Sequence, residues 1–258
     1  MSSTSLAQVG VTLSPFSIHL VSPQKVTNAK SHQRLVASDQ MTDLDRRSTG
    51  LAIALSGLAG FVDAIGFLVT GGFFVSFMTG NSTRVGVGIG ERDLKVVGLG
   101  LGVIACFVAG VAIGTTIASL SRRRQRSRVL FLVALFLAVG AFAWVFRVPH
   151  MGLIFIVMAM GAENAVFHRD GEPSIGLTYM TGVLVKMGQL VAGLFTGTPE
   201  WEWLKFLGLW IGLIIGAAVG CWGYGMWGTN ALALGIGWAL ILAIVARQPG
   251  FDDNANPV

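Results

Sequence analysis

Two acids and two bases stand within the apolar runs of this sequence. Asp63 and Glu163 each lie about thirteen residues into such a run, and Arg84 and Lys186 each follow a Met-Thr-Gly triplet. Ionisable groups in such surroundings carry protons, hold solutes or pair with one another, and the economical expectation is that the acids and bases of the two halves meet near the midplane. Polar neighbours gather beside them: Thr79, Asn81, Ser82 and Thr83 after Met78, Thr178, Tyr179 and Thr181 around Met180, and Asn164 after Glu163. Gly80 and Gly182 permit an abrupt change of backbone direction. A half-helix starting there would offer free N–H groups and a positive dipole end to an anion or polar solute, with Arg84 or Lys186 one turn later reinforcing the site. The candidate solute or proton pathway therefore comprises Asp63, Thr79, Asn81, Ser82, Arg84, Glu163, Asn164, Thr181 and Lys186. Two plainer roles compete: an ion pair that merely ties the fold together, and hydroxyls that bond back to their own helix.

Catalysis finds no support. GxSxG, HExxH and phosphate-loop patterns are absent. His150 and His168 fall at the ends of apolar runs without metal-ligand spacing, and Cys106 and Cys221 read as small packing residues. No catalytic residue, metal or cofactor is expected, and the protein is not expected to be an enzyme.

The elements that must position these residues follow from composition. Of 258 residues 53% are apolar and 12% charged, with 35 glycines, and the mean hydropathy is +0.70. That balance belongs to an integral membrane protein whose partner is the lipid bilayer. Apolar runs recur at Leu51 to Thr70, Val96 to Leu120, Val129 to Phe146, Met151 to Phe167, Phe206 to Gly220 and Ala231 to Ala246. Several approach the ~20 residues a helix needs to cross hydrocarbon. Their continuity favours helices over the alternating strands of a barrel. Five arginines in the block Ser121 to Arg128 read as a topology signal, so no nucleic-acid partner is expected. Residues 1–45 read as a disordered tail, with Met41 as an alternative start of translation, and 248–258 as a second tail.

The sequence also echoes itself. MTGNSTRVG at Met78 to Gly86 returns as MTGVLVKMG at Met180 to Gly188, and GFVDA at Gly60 to Ala64 returns as GAENA at Gly161 to Ala165. Glycine-striped runs follow: Gly98, Gly102, Gly110 and Gly114 with Cys106 between them, then Gly208, Gly212, Gly216 and Gly220. Two homologous halves, 46–146 and 147–247, are the simplest account. Small residues every fourth position let helices approach closely in lipid, within the chain or in a homodimer.

The segments GFVDAIGFL and FVSFMTGNSTRVG, with GAENA and GEPSIGLTYMTG in the second half, closely resemble the YoaK-like family of bacterial multi-pass membrane proteins, whose function is uncharacterised. The resemblance runs from about Gly50 to Val245 and implies an inner-membrane protein with about six spans; it implies no substrate.

The expected fold is all-α: a polytopic helix bundle of about six spans plus two MTG segments that are re-entrant or broken. With six spans, ten loop Lys and Arg fall on one side and three on the other, which places both termini in the cytoplasm. Eight spans in a parallel repeat is the alternative, and splits the same charges seven to six. Three spans per half would invert the second half, an architecture used by secondary transporters. The leading expectation is a small secondary transporter or permease for an unidentified, anionic or polar, solute, with Asp63 and Glu163 carrying a coupling proton. A non-transporting scaffold or complex subunit is the second reading.

Overall fold

The computed structural model describes residues 46–120, 124–169, 172–173, 180–196 and 201–248; both expected tails, together with Thr178 and Tyr179, lie outside them. Eight α-helices account for nearly all of the described chain: α1 Arg46–Thr70, α2 Met78–Glu91, α3 Leu94–Ser119, α4 Gln125–Val145, α5 Pro149–Glu163, α6 Met180–Thr196, α7 Trp203–Trp227 and α8 Leu232–Val245. A two-residue ladder, His168–Arg169 with Glu172–Pro173, is the one departure from helix among paired elements. Among the described residues, four stretches are long and apolar enough to cross a membrane: Arg47–Thr70, Leu94–Ser119, Gln125–Val145 and the run Trp203–Val245. That last run is not one rod. Gly228, with φ +59°, breaks it, and the turn Gly228–Ala231 sends α8 back alongside α1 and α4. The protein is a polytopic helical bundle.

Helix boundaries follow local chemistry. Asp93 caps α3 by accepting hydrogen bonds from the Lys95 and Val96 N–H groups, satisfying donors that a helix start leaves open. Pro149 sits in the first turn of α5, where its missing N–H costs nothing. At the end of α1 the chain reverses through Gly71 and Gly72, whose φ values of +68° and +119° a side chain would resist.

Three side chains fix which helix ends lie together. The Arg126 guanidinium donates to the Ser48 hydroxyl at 3.0 Å, joining the starts of α1 and α4. Ser127 donates to the Ala243 carbonyl at 2.8 Å, and Arg247 donates to Ser127 at 3.2 Å, so the end of α8 meets the same place. Arg126 also lies over the Phe167 ring, which brings the chain just past α5 to this end. We call it the base, and the opposite end the top. From Ser48 to Ser127 the chain leaves the base and returns, so α1 and α3 traverse the bundle and α2 does not. From Ser127 to Arg247 it does so twice through α4, α5, α7 and α8, leaving α6 without a traverse of its own. Six traverses with two additional MTG helices match the sequence expectation, and the eight-span alternative is incompatible with these contacts.

Interleaved packing holds the bundle together. α1 packs on α7 and α3 packs on α5, in both cases parallel, while α4 joins α5 and α8. Backbones touch wherever glycine permits. A Cβ on Gly216 would land on the Gly57 carbonyl, and one on Gly220 on the Phe61 carbonyl; one on Gly60 would meet the Leu213 carbonyl and the Ala217 N–H. The α3·α5 interface has the same set: Gly110 against the Met158 carbonyl, Gly114 against Ala162, and Gly161 against the Phe107 carbonyl and the Val111 N–H. Close approach of this kind substitutes for the hydrophobic driving force that lipid does not supply. One buried hydroxyl adds to it, Ser56 donating to the Leu209 carbonyl at 2.8 Å.

Candidate functional site

The MTG helix α2 begins inside the bundle. After the glycine turn, residues 73–77 run back down beside α1 without helical structure, and Thr70 pins the turn by accepting the Phe73 N–H at 2.9 Å. Asp63 receives this arm: its Oδ1 accepts the N–H groups of Val75 at 2.7 Å and Ser76 at 2.8 Å. Asp63 lies seven residues before the end of α1, which at 1.5 Å per residue is about 10 Å below the top of that helix. The chain then turns into α2 and climbs back. Asn81, 0% exposed, accepts the Phe74 N–H at 2.9 Å and donates to the Phe74 carbonyl at 2.6 Å. An amide side chain thus pairs with a peptide unit as a neighbouring strand would. Higher up, the Arg84 guanidinium lies 4.6 Å over the Phe73 ring and packs against Gly72.

The arrangement is a re-entrant hairpin with a non-helical descending arm and a helical ascending arm. Its sequence requirements are visible in the motif. A Cβ on Gly80 would fall 2.6 Å from the Phe77 ring and 3.2 Å from the Phe74 ring. Those two rings meet edge to face at 5.4 Å, and Phe74 meets Phe67 of α1 at 4.9 Å.

The sequence-predicted residues separate under this geometry. Asp63 and Asn81 meet on the hairpin, where the backbone uses their polar atoms. The carboxylate of Asp63 lies just ahead of the α2 start, so the protein's own acid stands near the positive end where a solute anion was expected. Ser82 and Thr83 are exposed and donate to the Met78 and Thr79 carbonyls, bonding back to their own helix. Thr79 and Thr181 are exposed, and Lys186 is half-buried on α6. Arg84 lies at the upper part of the hairpin, away from the helix start. Among the described residues no ion pair joins Arg84 or Lys186 to Asp63 or Glu163; the acids and bases do not meet.

Glu163 ends α5 with 0% exposure, and neither carboxyl oxygen has a hydrogen-bond partner among the described residues. Its neighbour Asn164 donates to the Met160 carbonyl at 2.9 Å. The backbone contacts of Gly60 and Gly161 place these two glycines equivalently. Asp63 therefore corresponds in position to Asn164, and Glu163 to Val62. The GFVDA and GAENA segments already carry that register; reading both acids as counterparts overlooked the one-residue offset.

Sequence reasoning also missed a cavity of about 500 Å³ between α1 and α7, lined by Gly60, Asp63, Ala64, Phe67, Leu68, Phe74, Leu213, Ala217 and Cys221. Neither its walls nor its opening could be read without the parallel α1·α7 pairing. A smaller cavity, about 220 Å³, lies between α3 and α5, bounded by residues that include Gly98, Gly102, Cys106 and His150.

Comparison with known proteins gives a consistent result. The family model described as "Protein of unknown function (DUF1275)" matches residues 51–245. The UPF0700 transmembrane protein RA0705 of Rhizobium meliloti is 36% identical over 177 residues, covering 68% of this chain and 76% of that protein. The UPF0700 transmembrane protein YoaK of Bacillus subtilis is 31% identical over 160 residues, covering 59% of this chain and 71% of that protein. No solved structure matches.

Proposed function

The chain belongs to the DUF1275 family of transmembrane proteins of unknown function, and we propose that it is a small secondary transporter of the inner membrane. The observation that carries this reading is the hairpin: a helix that starts inside the bundle, held by an intramembrane acid that also lines a cavity of about 500 Å³. Broken helices and cavities of this kind are how transporters present polar groups at membrane depth.

In this reading the chain is an inverted duplication. The matched contacts of the α1·α7 and α3·α5 interfaces support it, as does the opposite direction of α1 and α5. The arginine-rich sequence next to the base supports a cytoplasmic location for that end and, with it, for both termini. Glu163 serves as the proton site, because a buried carboxyl without a partner among the described residues can accept and release a proton without breaking a bond that holds them. Asp63 holds the hairpin and faces the solute. Rocking of the α1·α7 pair against the α3·α5 pair would alternate access.

The test uses full-length protein in liposomes that enclose a pH-sensitive dye. Amino acids, organic cations and organic anions are added outside one at a time. At least one solute should change internal pH, and Glu163→Gln should abolish the change with normal protein incorporation. Spin labels at Val87 and Met226, both exposed near the top, should report two distances in wild type. Silence for every solute with a single label distance at all pH values would reject the transporter reading.

A scaffold or complex subunit is the second reading, favoured by the consumption of Asn81 in backbone bonds. Under it Gly98 and Gly102, with nothing within 4 Å, would admit a second copy, and the label distance would stay single.

A further inference from the structure

We propose that the cavity between α1 and α7 binds a small lipophilic organic cation, of the quaternary ammonium or phosphonium kind, arriving sideways from the bilayer. This deepens the transporter reading by naming the solute class and rests on it only for movement across the membrane; binding follows from the cavity itself.

The opening comes first. Phe67 is 38% exposed and Leu68 42% exposed, and Cys221 is exposed beside them. All three lie on helices that traverse the bundle, so the mouth faces hydrocarbon. A strongly hydrated solute would have to shed its water before reaching it, whereas a cation whose charge is wrapped in carbon partitions there readily. The walls agree: apart from Asp63 and the Cys221 thiol, the lining residues are glycine, alanine, leucine and phenylalanine.

The sign of the charge follows from Asp63, the one ionisable group besides Cys221 in that lining. Neither Arg84 nor Lys186 contributes to it, and the Arg84 guanidinium is engaged with Phe73. An anion would therefore meet a carboxyl and no base. Phe67 and Phe74 stand 4.9 Å apart in the same lining, and ring faces attract cations by their quadrupole. The volume, about 500 Å³, falls within the ordinary range for small-molecule sites. A lipid acyl chain would fill the walls equally well but would make no use of the acid, which separates the two occupants.

The native cysteine supplies the assay. Full-length Cys106→Ala protein in zwitterionic nanodiscs is alkylated at Cys221 by a maleimide, in the presence of tetraphenylphosphonium or tetraphenylborate. These ions have the same shape and opposite charge. Saturable slowing of alkylation by the cation, and none by the borate, is expected. Asp63→Asn keeps an oxygen to accept the Val75 and Ser76 N–H groups, and should weaken protection by about tenfold or more, the equivalent of about 1.4 kcal/mol. Ala217→Leu fills the cavity while leaving the Asp63 carboxyl in the chain and should abolish protection, with the melting temperature of each variant confirming that it folds. Equal protection by both ions, protection by neither, or unchanged protection in Asp63→Asn would overturn the proposal. So would a Cys221 already shielded, before any ion is added, in particles holding two chains; that result would put a second copy in the groove. Cation binding with silent liposomes would keep the binding class and remove the transporter reading. Liposomes responding only to anions, without cation binding, would do the reverse.

Discussion

Asn81→Ala removes both partners of the Phe74 peptide unit at once. In the native hairpin the Asn81 amide accepts the Phe74 N–H at 2.9 Å and donates to the Phe74 carbonyl at 2.6 Å. A polar group left without a partner costs about 1 to 3 kcal/mol, so two would cost about 2 to 6 kcal/mol. The Phe74 side of these bonds is only part-buried, which places the expected loss in the lower half, about 2 to 4 kcal/mol. For a chain of this length each kcal/mol lowers the melting temperature by about 2 to 4 °C. Asn81→Ala should therefore melt about 4 to 16 °C below wild type in mild detergent by scanning fluorimetry. Asn81→Asp should do no better, because it retains the acceptor but sets a carboxylate oxygen against the Phe74 carbonyl. A melting temperature within about 1 °C of wild type would refute the structural role of Asn81. Loss of transport at unchanged stability would instead make Asn81 a solute ligand.

Glycine positions on one stripe should divide sharply. Gly110→Val would drive a side chain into the Met158 backbone and should abolish folded yield, whereas Gly102→Val, with nothing within 4 Å, should express normally; equal behaviour of the two would contradict the close α3·α5 packing. Single cysteines at exposed Gly90 and Arg124, in a protein without Cys106 and Cys221, should label from opposite sides of the membrane, and labelling from one side would defeat the six-traverse topology. Ser56→Ala deletes the buried bond to the Leu209 carbonyl and should cost about 0.6 to 1.7 kcal/mol in thermal unfolding. Glu163→Met replaces a buried carboxyl that has no partner among the described residues by an apolar chain of similar length and should raise the melting temperature while eliminating proton coupling. A lower melting temperature would mean that Glu163 has a partner the fold depends on.

Much of the architecture was legible because membrane helices announce themselves by continuous apolarity and because loop arginines fall asymmetrically. The re-entrant option could be preferred on charge counting alone, and the Ser48, Ser127 and Arg247 contacts now give it a geometric basis. The chemistry of the site was less legible. Asn81 and Asp63 stood out as polar residues in apolar runs, but their partners are backbone N–H and C=O groups, which every residue carries and no motif distinguishes. The meeting of acids with bases failed for a related reason. Arg84 has a long side chain, and the aromatic ring of Phe73 captures its guanidinium at a site that only the reversal through Gly71 and Gly72 creates. The cavity depends on which helices are neighbours, and helix pairing across 150 residues leaves little trace in one sequence.

An inverted pair of identical halves would have no preferred direction, because exchanging them returns the same molecule. If this bundle is such a pair, direction must come from positions where the halves differ, and three of these bear directly on the acids and the hairpin. Asp63 is matched by Asn164, Val62 by Glu163 and Asn81 by Val183, the last 3% exposed. The first half thus holds the acid that takes two backbone N–H groups and the amide that closes the hairpin. The second half holds a buried carboxyl that no described residue engages. Structural bonds and a free protonatable group are divided between the halves rather than shared. A proton arriving at Glu163 would alter the charge of one half without loosening the hairpin of the other, and that inequality is what an otherwise symmetric bundle needs in order to couple a gradient to movement in one direction.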